Sequence, residues 1–218
     1  MHKSGFKGIL FDLDGTLVDS LKVTFEAFNQ GILSQGGKRH SPAEIMAYFG
    51  PGEKEIFAQI IGREGAQAAY DVSCKYMDDS MTSIPLHAGV GDLLEKIKSA
   101  GAPVSIFTGR SWNTTEIILR HHRILDRFIT VIANDHVKAP KPAPDGILIA
   151  AERMKMEPAG LMYVGDSVVD IRSAKGGGAQ AVAAAWDLIA DHQGLRAHEP
   201  HHWAETPADV WEIFQSRL

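Results

Sequence analysis

The decapeptide FDLDGTLVDS, Phe11 to Ser20, places three aspartates and a glycine turn directly behind a short apolar run. A buried strand ordinarily avoids charge at its end, because a carboxylate taken out of water without a partner is costly. So much acid at one strand end therefore calls for a cation close by, and the rest of the chain is read for where it comes from and what else meets it.

The apolar run itself, GILF at 8–11, has counterparts in VSIF at 104–107, ITVIA at 129–133 and LMYVG at 161–165, with a fifth in QAVAA at 180–184. Each is short, nearly continuous in apolar residues and closed by polar or glycine signals, as parallel strands buried on both faces are. Between them lie helical patterns at 90–101, closed by Gly101, at 114–122 and at 145–154. Strands alternating with helices predict βαβ units and one parallel sheet. The stretch from Asp19 to Ile84 breaks the alternation, with helical patterns only: LKVTFEAFNQGIL, PAEIMAYF after Ser41, EKEIFAQII and AQAAYDVSCKYMDDS. A crossover needs only about a dozen residues, so this one is read as an inserted helical subdomain over the strand ends. The expected fold is α/β, a Rossmann-like parallel-sheet core of residues 1–18 and 85–218 with an all-helical domain, 19–84, inserted.

In open α/β sheets ligands bind at the carboxyl edge. Asp12 and Asp14 follow the first strand, Thr108, Gly109 and Arg110 the second, and Gly165, Asp166, Ser167 and Asp170 the fourth; Lys141 in KAPKPAPDG precedes the helix after the third. All of these are expected to face one crevice.

Composition sets the outer bounds. With 218 residues, 44% apolar, 22% charged and a formal net charge of −5, the chain reads as an ordinary globule with a real core and gives nucleic-acid binding no support. The one cysteine, Cys74, cannot make an internal disulfide, the MHKSGFKGIL start is too short in apolar residues for a secretory leader, and no run approaches the roughly 20 apolar residues of a membrane span. A cytoplasmic location without membrane attachment is expected. Oligomeric state is unreadable.

The four stretches FDLDGT, SIFTGR, KPAPDG and VGDSVVD, in that order, resemble the motifs of the haloacid dehalogenase-like hydrolases. The similarity spans nearly the whole chain, since the helical insert resembles that family's cap domain; within the family the likeness is to the phosphoglycolate phosphatase and β-phosphoglucomutase group. The resemblance implies a Mg²⁺-dependent phosphatase acting on a small phosphorylated metabolite. Asp12 is then the nucleophile that forms an aspartyl phosphate, and Asp14 the acid and base. Thr108, Gly109, Arg110 and Lys141 serve the phosphate. The metal sits on Asp12, the backbone carbonyl of Asp14 and Asp166, with Ser167 and Asp170 in support.

The chemistry of the residue types agrees. Carboxylates from separate strand ends repel and lose solvation unless cations join them, and all-oxygen ligation suits Mg²⁺ rather than zinc. Thr108 is expected to open the following helix, its hydroxyl and the free amides behind it turned to phosphate. Arg110, a cation in that helix's first turn, opposes the dipole and calls for an anionic partner, the alternative being a surface arginine. Ser167 with Asp170 also reads as a capping box with Asp in the place of Glu or Gln. Two further readings stay open: a phosphomutase using the same intermediate on a sugar phosphate, and a catalytically silent module that binds a phosphorylated ligand. YFGPGEK at 48–54 breaks two helices and resembles the cap loop that reads substrate in the family. The ten histidines, HEPHH at 198–202 among them, match no usual ligand spacing.

Overall fold

The computed structural model describes residues 6–216; the MHKSG start considered above for a leader lies outside them. Among the described residues, six parallel strands form one sheet: β1 (Gly8–Phe11), β2 (Val104–Phe107), β3 (Val131–Ile132), β4 (Leu161–Gly165), β5 (Gln180–Ala184) and β6 (His202–Ala204). Their spatial order is β3-β2-β1-β4-β5-β6. β1 is fully buried because both faces of the sheet are covered. Ile9 and Phe11 point to one side, with Ile106, Val164 and Val182, and Leu10 points to the other, with Phe107, Tyr163 and Ala183. That two-residue alternation inside a run with no polar residue is what a doubly covered strand requires.

Helices α1 (Leu21–Ser34), α2 (Pro42–Met46), α3 (Glu53–Ile61) and α4 (Arg63–Asp79) all fall between β1 and β2. They close around a cluster of their own, with Phe28, Ile32, Ile45 and Phe57 at its centre. The start of α2 is set locally: Ser41 N donates to Glu44 Oε2 at 2.7 Å, Glu44 N donates back to Ser41 Oγ at 3.3 Å, and Pro42 opens the first turn. Chain leaves the sheet for the insert and returns through a paired ribbon. Asp19 N donates to Pro85 O at 3.0 Å and His87 N to Leu17 O at 3.0 Å.

The remaining helices are α5 (Val90–Ser99), α6 (Trp112–His121), α7 (Asp145–Met154), α8 (Val168–Gly176), α9 (His192–Ala197) and α10 (Pro207–Gln215). Those of α5, α6 and α10 add Leu94, Ile118 and Val210 to one face of the sheet; α7 and α8 add Ile147 and Ile171 to the other.

Two expectations are corrected. The third strand is Val131–Ile132 rather than 129–133, because it is an edge: Ile129 is 55% exposed, although its N–H still donates to Val104 O at 2.9 Å. The helix after β2 begins at Trp112, with Ser111 in the N-cap position, so Thr108 does not open it. A sixth strand that no sequence pattern signalled follows HEPHH, and His201 Nδ1, just before it, accepts from Ala181 N at 2.9 Å.

Gly146 lies against the ring of Phe107, so close that a Cβ there would sit 2.3 Å from two ring carbons. Alanine gains at most about 1 kcal/mol in helix propensity, while overpacking costs roughly 1–3 kcal/mol. Gly146→Ala is therefore expected to lower the unfolding free energy measured in urea by about 1–2 kcal/mol.

Candidate active site

The strand order reverses between β1 and β4, and the crevice opens there. Asp12 continues β1, its N–H donating to Val164 O at 2.9 Å, and Asp166 continues β4. Behind Asp12 the chain folds into a tight turn in which the amides of Leu17 and Val18 both bond Leu13 O, at 2.8 and 3.0 Å. Gly15 has φ +70° in this turn, and a Cβ on it would lie 2.2 Å from Asp166 Oδ2. Only glycine lets the loop pass so near the second acid.

The structure brings Asp12, Asp166 and Asp170 together, each offering a carboxylate oxygen within 4.8 Å of the others. Lys141 reaches them from the loop before α7, 7% exposed. Its Nζ lies 2.9 Å from Asp12 Oδ1 and 2.7 Å from Asp170 Oδ1, over the rings of Phe107 and Tyr163 at 5.0 and 5.3 Å. Lys141 is thus a buried partner of the acids and not a solvated loop residue.

Asp170 spends its oxygens on protein donors. Lys141 and the Tyr163 hydroxyl, at 3.0 Å, take Oδ1; Ser167 N, at 3.0 Å, and Ser167 Oγ take Oδ2. The Ser167–Asp170 pair thus caps α8 and anchors Lys141 at once. Asp12 and Asp166 keep more capacity: Asp12 Oδ1 is buried with its ion pair but no hydrogen bond, and Asp166 accepts from Thr16 Oγ1 at 3.2 Å. Hard oxygen donors of this kind, with no sulfur or imidazole among the three residues, fit a cation such as Mg²⁺.

The charges are strained accordingly. Burial, with help from Asp170 and Asp14, raises Asp12 to about 7 despite the opposing charge of Lys141. Burial and the neighbouring Asp170 and Asp12 likewise push Asp166 well above the ordinary carboxylate range. Lys141 moves up: burial disfavours its charge, but Asp12 and Asp170 outweigh that.

Thr108 ends β2 fully buried, its N–H bonded to Ile132 O at 2.9 Å and its Oγ1 accepting from Arg110 N at 3.2 Å. Gly109 is exposed, with open space on its side-chain side. Arg110 is neither a surface residue nor in the first turn of a helix. It is 5% exposed, and its guanidinium grips Asp14 with two bonds, Nε to Oδ2 at 3.0 Å and Nη2 to Oδ1 at 2.7 Å. It also donates to Glu53 Oε1 at 3.1 Å and Thr24 Oγ1 at 2.7 Å, both on the insert. Burial alone would raise Asp14, but Arg110, with a short hydrogen bond from Ser20, holds it below the usual range. Glu53 moves the other way, raised by burial.

Sequence reading missed Glu53, Thr24, Ser20 and Tyr163. Glu53 stands at the end of the loop-like YFGPGEK, and its first-turn position on α3 gives it the look of an ordinary helix-dipole acid. Asp187, beyond β5, is also buried, and its Oδ2 has no hydrogen-bond partner and lies 3.8 Å from His87 Nε2.

Residues 9–184 match the family model described as haloacid dehalogenase-like hydrolase. The chain belongs to the haloacid dehalogenase-like hydrolase family. Among curated relatives it is 28% identical over 212 residues to the pyrophosphatase PpaX of Bacillus velezensis, covering 94% of each chain. It is 24% identical over 211 residues to the phosphoglycolate phosphatase of Aquifex aeolicus, covering 96% of this chain and 97% of that one. CbbY from Rhodobacter sphaeroides, whose crystal structure was solved in complex with phosphate, shares the fold with a TM-score of 0.78 at 22% identity, over 94% of this chain and 96% of that one. Among the described residues no helix is long and apolar enough to cross a membrane.

A carboxyl raised from 3.8 to about 7 binds more protons folded than unfolded, so stability falls as pH rises across that window. Asp12→Asn removes that burden. In EDTA its melting temperature is expected to exceed that of the unaltered hydrolase by several degrees at pH 8, with the gap closing as pH is lowered toward 4.

Proposed function

We propose that this hydrolase is a Mg²⁺-dependent phosphatase of small phosphate monoesters, with phosphoglycolate the first substrate to test, and that it works through an aspartyl phosphate on Asp12. One observation carries the reading: Asp12 is buried with its Oδ1 2.9 Å from the Lys141 ammonium, while Asp166 stands beside it on the next strand.

A carboxylate attacks phosphorus only when ionised, and Asp12 in the absence of a divalent cation is held up to about 7. Mg²⁺ on Asp12, the Asp14 carbonyl and Asp166 would supply positive charge that favours the carboxylate and screens the phosphate's oxygens. The protein's own residues do the rest. Asp12 forms a bond to phosphorus as the bond to the leaving oxygen breaks, and Asp14 gives that oxygen its proton. Water then attacks the phosphorylated Asp12, with Asp14 taking the proton back. Lys141, and Thr108 with the neighbouring exposed Gly109, are suited to the phosphate's equatorial oxygens.

Magnitudes assign the larger share to charge. Phosphate monoester hydrolysis can be accelerated about 10²¹-fold, and general acid catalysis supplies roughly 10² to 10⁴ of such a factor. The helical insert is read as a cap that excludes water and selects substrate. Its four helices sit between the first two strands, and it reaches the crevice through Glu53 and Thr24. The names of the relatives, a pyrophosphatase and a phosphoglycolate phosphatase, support phosphoryl hydrolysis and leave the leaving group to experiment.

Incubation with phosphoglycolate, pyrophosphate and a panel of sugar phosphates in Mg²⁺ is expected to release inorganic phosphate from at least one of them. EDTA should abolish the release, and Asp12→Asn should cut it by about 10³-fold or more. Full activity in Asp12→Asn would end the proposal, and conversion of a hexose 1-phosphate to its isomer without phosphate release would make the protein a mutase.

A further inference from the structure

The arginine that closes SIFTGR is spent on protein acceptors, and those acceptors come from both sides of the junction between sheet and insert. Arg110 follows β2. Two of its bonds go to Asp14 behind β1, one to Glu53 at the start of α3 and one to Thr24 on α1. Thr114 on α6 fixes Glu53 in turn, its Oγ1 lying 3.0 and 2.9 Å from the two carboxylate oxygens. The side chains of Arg110, Asp14 and Glu53 are 3%, 20% and 11% exposed, so solvent does little to loosen them.

Lone-pair accounting turns this grip into a statement about Asp14. A carboxylate offers about four acceptor positions. Oδ1 receives Arg110 Nη2 and Ser20 Oγ, and Oδ2 receives only Arg110 Nε. One position, on Oδ2, is left to exchange a proton. The planar fork of Arg110 sets where that position points, since two parallel bonds fix the rotation of the carboxylate as one bond does not.

We infer that Arg110 is a positioning residue for Asp14 and is itself held by Glu53 of the insert, so that proton transfer at Asp14 Oδ2 is aligned only while the insert is docked on the sheet. The inference rests on the reading of Asp14 as acid and base given above. In the first half-reaction the Asp12–phosphorus bond forms, the bond from phosphorus to the leaving oxygen breaks, and the proton on Oδ2 passes to that oxygen. In the second, water gives its proton to Oδ2 while its oxygen displaces Asp12 from phosphorus. Neither half needs Arg110 to touch the substrate.

The test compares leaving groups. Loss of alignment at Asp14 harms departure of an alkoxide, which needs a proton, far more than departure of p-nitrophenolate. Arg110→Lys keeps the charge and removes the fork; Glu53→Gln keeps the shape and removes the insert's charge. With Mg²⁺ present, kcat/KM for phosphoglycolate is expected to fall relative to kcat/KM for p-nitrophenyl phosphate by about tenfold or more in Arg110→Lys, out of the roughly 10² to 10⁴ a placed acid supplies. Glu53→Gln should shift the ratio in the same direction. An equal fall on both substrates makes Arg110 structural only and overturns the inference, as does a rise on phosphoglycolate. A second measurement needs no turnover. Hydrogen exchange of the Leu13–Ser20 amides is expected to quicken in Glu53→Gln, although the substitution lies in the insert, and unchanged exchange there overturns the coupling. Failure of the unaltered protein to release phosphate from these compounds and from the whole panel above would strike the proposed function, and the exchange result would still decide the coupling between insert and Asp14.

Discussion

The buried ammonium of Lys141 is the interaction on which the crevice depends. Two acids, Asp12 behind β1 and Asp170 on α8, cannot be drawn out of water side by side without a cation between them. Lys141 is that cation, and much of the local architecture serves to hold it: Asp170 from α8 binds it, Ser167 fixes Asp170, and Tyr163 bonds the same Asp170 oxygen. The aromatic residues Phe107 and Tyr163, one on each strand flanking β1, wall it in and offer their ring faces. A residue read in the sequence as a helix cap is therefore also the counter-ion of the site's lysine.

Legibility followed distance along the chain. β1, β2, β4 and β5 were read to the residue, because a strand buried on both faces writes itself as an unbroken apolar run between polar stops. β6 escaped, since three residues, His202 to Ala204, carry no period, and the edge position of β3 let exposed residues extend its apparent length. Asp12, Asp166 and Lys141 were found as a group because each stands at a strand end or in a motif loop, where position alone sends them to one edge. Glu53 and Arg110 could not be paired from sequence. Their partnership depends on how four helices fold back over the sheet; Glu53 has an ordinary explanation in a helix's first turn, and the anionic partner Arg110 calls for carries no address in the chain.

The two buried cations divide the acids between them. Lys141 serves Asp12 and Asp170 at the centre of the sheet, and Arg110 serves Asp14 and Glu53 beneath the insert. Asp166 and Asp187 fall outside both sets: Asp187 raises Asp166 through the gap left by Gly15, and its nearest basic group is His87, at 3.8 Å. Carboxylates thus outnumber the cations bonded to them, and a phosphate dianion entering this crevice would meet net repulsion. A divalent ion at Asp12 and Asp166 would reduce that excess, so on the proposed reading metal binding with or before substrate eases the entry of phosphate.

The directions in which Asp12 and Asp14 are pushed sharpen the point. Environments that drive two carboxyls apart ordinarily sort acid from base. Here Asp12, the proposed nucleophile, is driven up toward protonation, and Asp14, the proposed acid, is driven down. Each is biased against its first task. What the reaction brings in corrects both at once. A cation at Asp12 favours its ionised form, and a phosphate's negative charge, arriving near Asp14, raises the affinity of that carboxyl for a proton against the pull of Arg110. On the proposed reading the bias is a form of coupling, in which metal and phosphate entering the crevice move nucleophile and acid together toward their working protonation states.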